Sequence, residues 1–515
     1  MTGRDPGLFT GAAGGATQRN TGCNTGSGGG AVHRAPSRYR AKSSMALAED
    51  VALPGGPGLI LLGVFETLER SGIPYCVLHG YDAYPWWIKS DVDCMISADV
   101  RPFALMALLQ KNCARIGADV VRSRGYEFIL SGKNVDSSPC FLKLDMSVDY
   151  EVDDRLFYAG SEVLESRRRH RQFSVPAVRL EFGCYLVRKI AKGRLDEEHG
   201  QRLTHLYQQD AAGCRQQVDR FWNHGSSALI LSAAESGKWE PVRLRLDKLR
   251  AELRARATLR SPWRVVGNRL RHLAGRMSRV WRPDGGLSVV FLGPDGAGKS
   301  SVVQAMGQSL AGAFPRTACY SFPPALLDYF LHRPQAIDNR PHESPLRSWP
   351  ASVVRAILYW FIYNTLGYYV TVHLALGRST LVMHDRHFVD ALVDPRRYRY
   401  GGPLWLLRLI WRIVTKPDLL ILLDAPPAVL QARKQEVSFE ESARQREAYL
   451  SLMQTMKNGY VVDAARPLEH VVGDVNDIVL RHLAARVARR FGLAQNSLYR
   501  RDPLMFSRVR SEPPP

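Results

Sequence analysis

The sequence predicts two α/β domains in tandem, an N-terminal α+β domain and a C-terminal P-loop NTPase-type parallel sheet with helices on both faces. Three observations carry this. A strand, a glycine-rich turn and a helix follow one another over 289–310. Apolar strand runs at 380–383 and 419–423 then alternate with long helical stretches, the rhythm of a parallel sheet. Ahead of them, short apolar runs at 75–78, 91–96 and 141–146 are interleaved with helical spacing at 59–70 and 103–116, and 176–222 reads as mainly helical.

The chain has 515 residues, enough for two to four domains. With 45% hydrophobic and 23% charged residues, wholesale disorder, collagen and coiled coil are excluded. The net charge of +21 is unevenly placed. Six cations and one acid in 1–44 give +5, thirteen and two in 243–282 give +11, and the rest carries only +5. The basicity belongs to a tail and a linker, so no sequence-specific nucleic-acid partner is expected.

This divides the chain into a disordered, Gly-rich extension (1–56), an α+β domain (57–235), a basic helical linker (236–285), the α/β domain (286–492) and a polar tail (493–515). Eight cysteines without a C-x-x-C pair read as reduced, mostly buried thiols of a cytoplasmic protein. The start lacks the apolar core of a signal peptide. Residues 356–376 run without an acid, Lys or Arg, long enough to span a bilayer. Asn364, His373 and four tyrosines within it favour a helix buried inside a domain. In the linker, Leu/Val/Trp positions suggest a broken amphipathic helix, read as a solvated connector with an acidic membrane surface as the alternative.

The residues at 293–300, GPDGAGKS, fit G-x-x-x-x-G-K-[ST] without deviation and lie between a predicted strand and helix. Glycines there let successive N–H groups face one anion, and the helix dipole adds to them. Gly293, Asp295, Gly296, Ala297, Gly298, Lys299, Ser300 and Ser301 are the candidate nucleotide-binding residues. Lys299 is placed at the β/γ-phosphates and Ser300 on Mg²⁺. The segment resembles the phosphate loop of the thymidylate kinase family, in which the acid corresponding to Asp295 lies against the acceptor. The resemblance continues in Asp385-Arg386 at a strand end, implying an acid serving Mg²⁺ and an arginine on the acceptor phosphate. It continues in the Pro-Asp-Leu strand ending at Asp424, in a lid containing Arg433, Arg444, Arg446 and Tyr449, and in 462–464 beside the adenine. It covers about 286–492. Arg444, and next Arg433, are the expected lid cations. The family's acceptor segment is missing; 319–324 reads CYSFPP, and only RPHE at 340–343 is distantly similar. Asp390, Asp394 and the basic run 395–402 are an alternative anion-binding loop.

A second constellation joins His79-Gly80-Tyr81, Asp91-Val-Asp93 and Asp145. Carboxylates at i and i+2 on a strand share a face, and a third from a neighbouring strand completes an oxygen cage for Mg²⁺. It resembles the polymerase-β type of nucleotidyltransferase, with Tyr81 departing from the small residue expected. Tyr185, Arg188, Lys189 and Lys192 could face the same cleft.

Together the resemblances imply an ATP- and Mg²⁺-dependent phosphotransferase acting on a nucleoside monophosphate or related phosphorylated small molecule. The pairing resembles proteins encoded with bacterial surface-polysaccharide enzymes, which implies a nucleotide-sugar or glycan acceptor. The rivals are an ATP-sensing scaffold without turnover and a membrane- or nucleic-acid-associated protein using 243–282. Oligomeric state is left open, a homodimer included.

Overall fold

A computed structural model describes residues 54–281, 285–320, 345–364, 368–435 and 437–493. The predicted extension (but for 54–56), the RPHE motif and the tail (but for residue 493) lie outside the described residues.

The first domain holds strands β1 (Tyr75–Val77), β2 (Val92–Ile96), β3 (Asp119–Arg124), β4 (Glu127–Lys133) and β5 (Pro139–Ser147) in one sheet, ordered β1-β2-β5-β4-β3. Only β2 and β5 run parallel. Two small hairpins follow, β6 (Asp149–Val152) with β7 (Arg155–Ala159), and β8 (Arg168–His170) with β9 (Phe173–Val175). Along β5, Cys140, Leu142, Leu144 and Met146 point to one face and pack on helices Gly56–Arg70 and Pro102–Lys111. The period of two puts Phe141, Lys143 and Asp145 on the other face.

That second face positions everything else. At one end, Met95 packs into a helical core built around Val178–Lys192. At the other, Val121, Ile129 and Phe141 join the core of the C-terminal sheet. The seam is also polar: Arg122 donates to Ala313 O (3.1 Å) and to Ser379 Oγ (2.5 Å), and Lys133 pairs with Asp477 at 2.8 Å. The charged middle of the sheet face is therefore walled on both sides.

The predicted domain boundary at 235 does not match the packing. Val242, Leu249, Leu253 and Ala257 are buried with Leu186 and Trp222, so the first half of the basic segment is part of the helical core. Its arginines are not all turned outward: Arg254 donates to Ala191 O (3.4 Å) and Arg260 to Arg220 O (2.7 Å). Helix Pro262–Trp281, by contrast, leaves most of its described side chains exposed.

The C-terminal sheet contains β10 (Leu287–Leu292), β11 (Arg316–Tyr320), β12 (Thr380–His384), β13 (Leu419–Asp424) and β14 (Gly459–Asp463), all parallel and ordered β11-β12-β10-β13-β14. β10 is buried at every position, as a central parallel strand covered on both faces must be. β11 and β14 are edge strands with mixed, half-exposed sequences, which is why no apolar run announces them. The stretch 356–376 is not the expected single buried helix. Helix Trp349–Asn364 leaves Val354, Ile357 and Phe361 about half exposed, and the chain continues through a π-type segment, Tyr368–His373, into Leu374–Gly377. Among the described residues, no helix is long and apolar enough to cross a membrane. None of the seven described cysteines is in a disulfide, and of these seven only Cys319 is exposed.

Phe291 is fully buried on the central strand β10. Phe291→Ala should cost about 3–5 kcal/mol, seen as a lower urea midpoint. An unchanged midpoint would contradict its central place.

Candidate phosphate site and a neutralised carboxylate cluster

The loop 293–298 joins β10 to helix Lys299–Ser309. Gly296 and Gly298 both have φ of +85°, a region that L side chains avoid, and Gly293 lies at +142°. A Cβ at Gly293 would stand 2.7 Å from Leu423 O, so sterics enforce the residue as well. Lys299 is 8% exposed and curls back over the loop, donating to Gly293 O (2.7 Å) and Pro294 O (3.0 Å). Burial lowers its pKa.

Ser300 Oγ donates to Asp385 Oδ2 at 3.0 Å. Asp385 leaves the end of β12, beside the loop strand, and its Oδ1 is buried without a hydrogen-bond partner. An orphaned carboxylate oxygen next to a serine hydroxyl is a hard-oxygen pair suited to Mg²⁺. Arg386, the next residue, donates to Asp295 Oδ1 at 2.8 Å, and Arg397 pairs with Asp295 Oδ2. Burial works against the Arg386 charge, but Asp295, Tyr398 and Asp390 outweigh it and hold its pKa up. Asp295 Oδ1 also lies 4.0 Å from Lys299 Nζ. The loop, the end of β12 and the basic run 395–402 thus meet around one carboxylate.

Two further carboxylates brace this assembly. Asp390 is buried, accepts from His387 N and from Tyr449 Oη (both 2.7 Å), and is raised in pKa chiefly by burial. Asp424 takes a two-pronged contact from Arg446 at 2.7 and 2.8 Å. Both tie helix Phe439–Gln454 to the sheet. The expected lid cations are placed elsewhere. Arg444 is 53% exposed and bound to Glu441 of its own helix, while Arg433 donates to Ala464 O at 2.9 Å. Lys434 also approaches the loop, its Cβ lying 3.5 Å from a Cβ built at Gly296. Arg397 and Lys434 escape sequence reasoning because only the fold carries them to the loop; the basic run 395–402 was the one signal for Arg397.

In the first domain, Asp93 and Asp145 are register partners on β2 and β5, and Glu127 is the partner of Asp145 on β4. The three carboxylates form a row on the second sheet face. The expected oxygen cage of Asp91, Asp93 and Asp145 is not assembled. Asp91 is paired with Lys143, and Asp93 accepts from Arg188 (3.0 Å) and lies 2.8 Å from His79 Nε2. Asp91 and Asp93 thus each already face a cation, Lys143 and Arg188. Among the described residues, no group of three or more His, Cys, Asp or Glu is arranged to hold a metal ion. Tyr81 is buried with its hydroxyl on Glu181 at 2.5 Å, in a network with Arg168 and Arg202. It fills space instead of offering a hydroxyl to a phosphate. Of the helix cations, Arg188 reaches the row, whereas Lys189 turns to His199.

The row splits in its titration. Burial alone would raise Asp93, but the His79 hydrogen bond and the Arg188 charge hold it down at about 2. Asp145 is pushed up to about 6, first by burial and then by Asp93 and Glu127.

No protein-family model matches the chain, and no curated protein matches it.

The raised Asp145 predicts a sign. An acid with a folded pKa above its unfolded value of about 3.9 costs stability once ionised, and the penalty fades as pH falls from about 6 toward 4. Asp145→Asn should therefore stabilise the protein at pH 8 by on the order of 1 kcal/mol, with the gain shrinking at pH 4. Thermal melts across that range check this; a variant equally or less stable at pH 8 would refute it.

Proposed function

We propose that the chain is an ATP- and Mg²⁺-dependent phosphotransferase that adds a phosphoryl group to a phosphorylated small molecule, a nucleoside monophosphate or a nucleotide-sugar or glycan-related relative of one. The observation that carries this reading is the convergence on one loop of Lys299, the Ser300–Asp385 pair with its open oxygen, and the Arg386–Asp295–Arg397 cluster. The likeness to the thymidylate kinase phosphate loop and Asp-Arg motif supports it.

Phosphoryl transfer needs positioning and charge neutralisation more than covalent help. Ser300 and Asp385 would hold Mg²⁺, which supplies positive charge at the phosphate oxygens. The loop N–H groups and Lys299 bind the β- and γ-phosphates. An acceptor phosphate oxygen attacks the γ-phosphorus, the bond to the β–γ bridging oxygen breaks, and ADP leaves. Arg386 and Arg397 present guanidiniums that suit an acceptor phosphate, because the planar fork matches two phosphate oxygens. Asp295 sets their orientation. Asp91 and Asp93 of the first domain, engaged by Lys143 and Arg188, are given no part in this reaction.

With ATP, Mg²⁺ and a panel of nucleoside monophosphates and sugar phosphates, one acceptor should gain the mass of one phosphoryl group as ADP forms. Lys299→Ala should lower that rate by about 10³-fold or more. Arg397→Ala should raise the acceptor KM about tenfold or more with little change in ATP affinity. Full activity in Lys299→Ala would refute the reading. ATP binding with no product from any acceptor would favour the sensing scaffold.

A further inference from the structure

Helix Pro262–Trp281 is not used by the proposed chemistry, and its surface is unusual for a connector. Among its described side chains, only Val265 and Asn268 are buried. They sit on the side that holds the helix to the β6–β7 hairpin. There Asn268 donates to Glu151 (3.0 Å) and Asp154 O (3.2 Å), and Arg264 donates to Glu151 at 2.9 Å. At 100° per residue, Trp263, Val266, Leu270, Leu273 and Met277 fall on a single stripe turned away from that side. All five are exposed, between 49 and 85%. Trp281, at the far end, is 80% exposed. Arg269 and Arg276 flank the stripe on one side and Arg271 on the other, and 262–281 contains no acid.

We propose that this helix docks the protein on an anionic lipid surface, its stripe set among the acyl chains and its flanking arginines at the level of the lipid phosphates. Charge selects that occupant. A second copy packed on the stripe would bring Arg269 and Arg276 against arginines, with no carboxylate on either helix to meet them. A nucleic acid would satisfy the arginines and leave five large apolar side chains in water. An anionic bilayer satisfies both faces, and tryptophans at the two ends suit the headgroup boundary. The apolar surface also has a neighbour: the helix touches Leu374–Gly377, which continues from the π-type segment bearing exposed Tyr369.

The test is flotation of the full chain with vesicles of phosphatidylcholine alone, or with about 30 mol% phosphatidylglycerol. Recovery should be about tenfold higher on the anionic vesicles and fall as salt rises from about 0.1 to 0.5 M. Leu270→Glu with Leu273→Glu, both exposed and outside the cores, should lower recovery about tenfold while leaving the circular dichroism unchanged. Arg269→Gln with Arg276→Gln should weaken binding and flatten its salt dependence. Three results would overturn the proposal. One is no binding to anionic vesicles at low salt. Another is vesicle or DNA binding that the double glutamate variant leaves intact. The third is lipid-free self-association that the same variant abolishes.

Discussion

A buried ammonium organises the C-terminal half of this protein. Removing such a group from water costs several kcal/mol unless oxygens replace the lost hydration. Lys299 obtains them from Gly293 O and Pro294 O, carbonyls of its own loop. The loop can present them only because its glycines adopt backbone angles closed to other residues and lie tight against β13. Asp295 then stands beside Lys299 and draws in Arg386 and Arg397. Strand β12 must therefore neighbour β10, and the 395–402 segment must return across the sheet end. The topology, the loop and the charge cluster are one constraint seen at three scales.

The first domain shows the opposite use of charge. Its strand carboxylates do not gather into a cage: Asp93 is engaged by Arg188 and His79, and Asp91 by Lys143. Tyr81 is held in the core by Glu181. The same sheet face packs against the C-terminal parallel sheet through Ile129 and Phe141. The domain thus shares its core with the C-terminal half.

Much of the candidate phosphate loop was legible because short-range sterics write its backbone into eight consecutive residues. The i, i+2 placement of Asp91 and Asp93 was legible for the same local reason. What could not be read depends on register and long-range return. Glu127 joins Asp145 only through the β4–β5 pairing, and Arg397 meets Asp295 only after the chain has crossed the sheet. The linker expected over 236–285 begins too early, because the apolar spacing read there does not say what it packs on, and Leu249, Leu253 and Ala257 are buried with the first domain's helices. The stretch 356–376 misled in the other direction: it is apolar, yet much of its described surface faces outward.

The central claim is that the 293–300 loop and Asp385 form one Mg²⁺-assisted nucleotide site. Calorimetric titration of ATP into the full chain, with and without Mg²⁺, alongside Asp385→Asn, tests it most directly. The account predicts saturable binding that Mg²⁺ tightens in the wild type and that Mg²⁺ no longer tightens in Asp385→Asn. Binding that is indifferent to Mg²⁺ in both proteins, or absent from both, would contradict it.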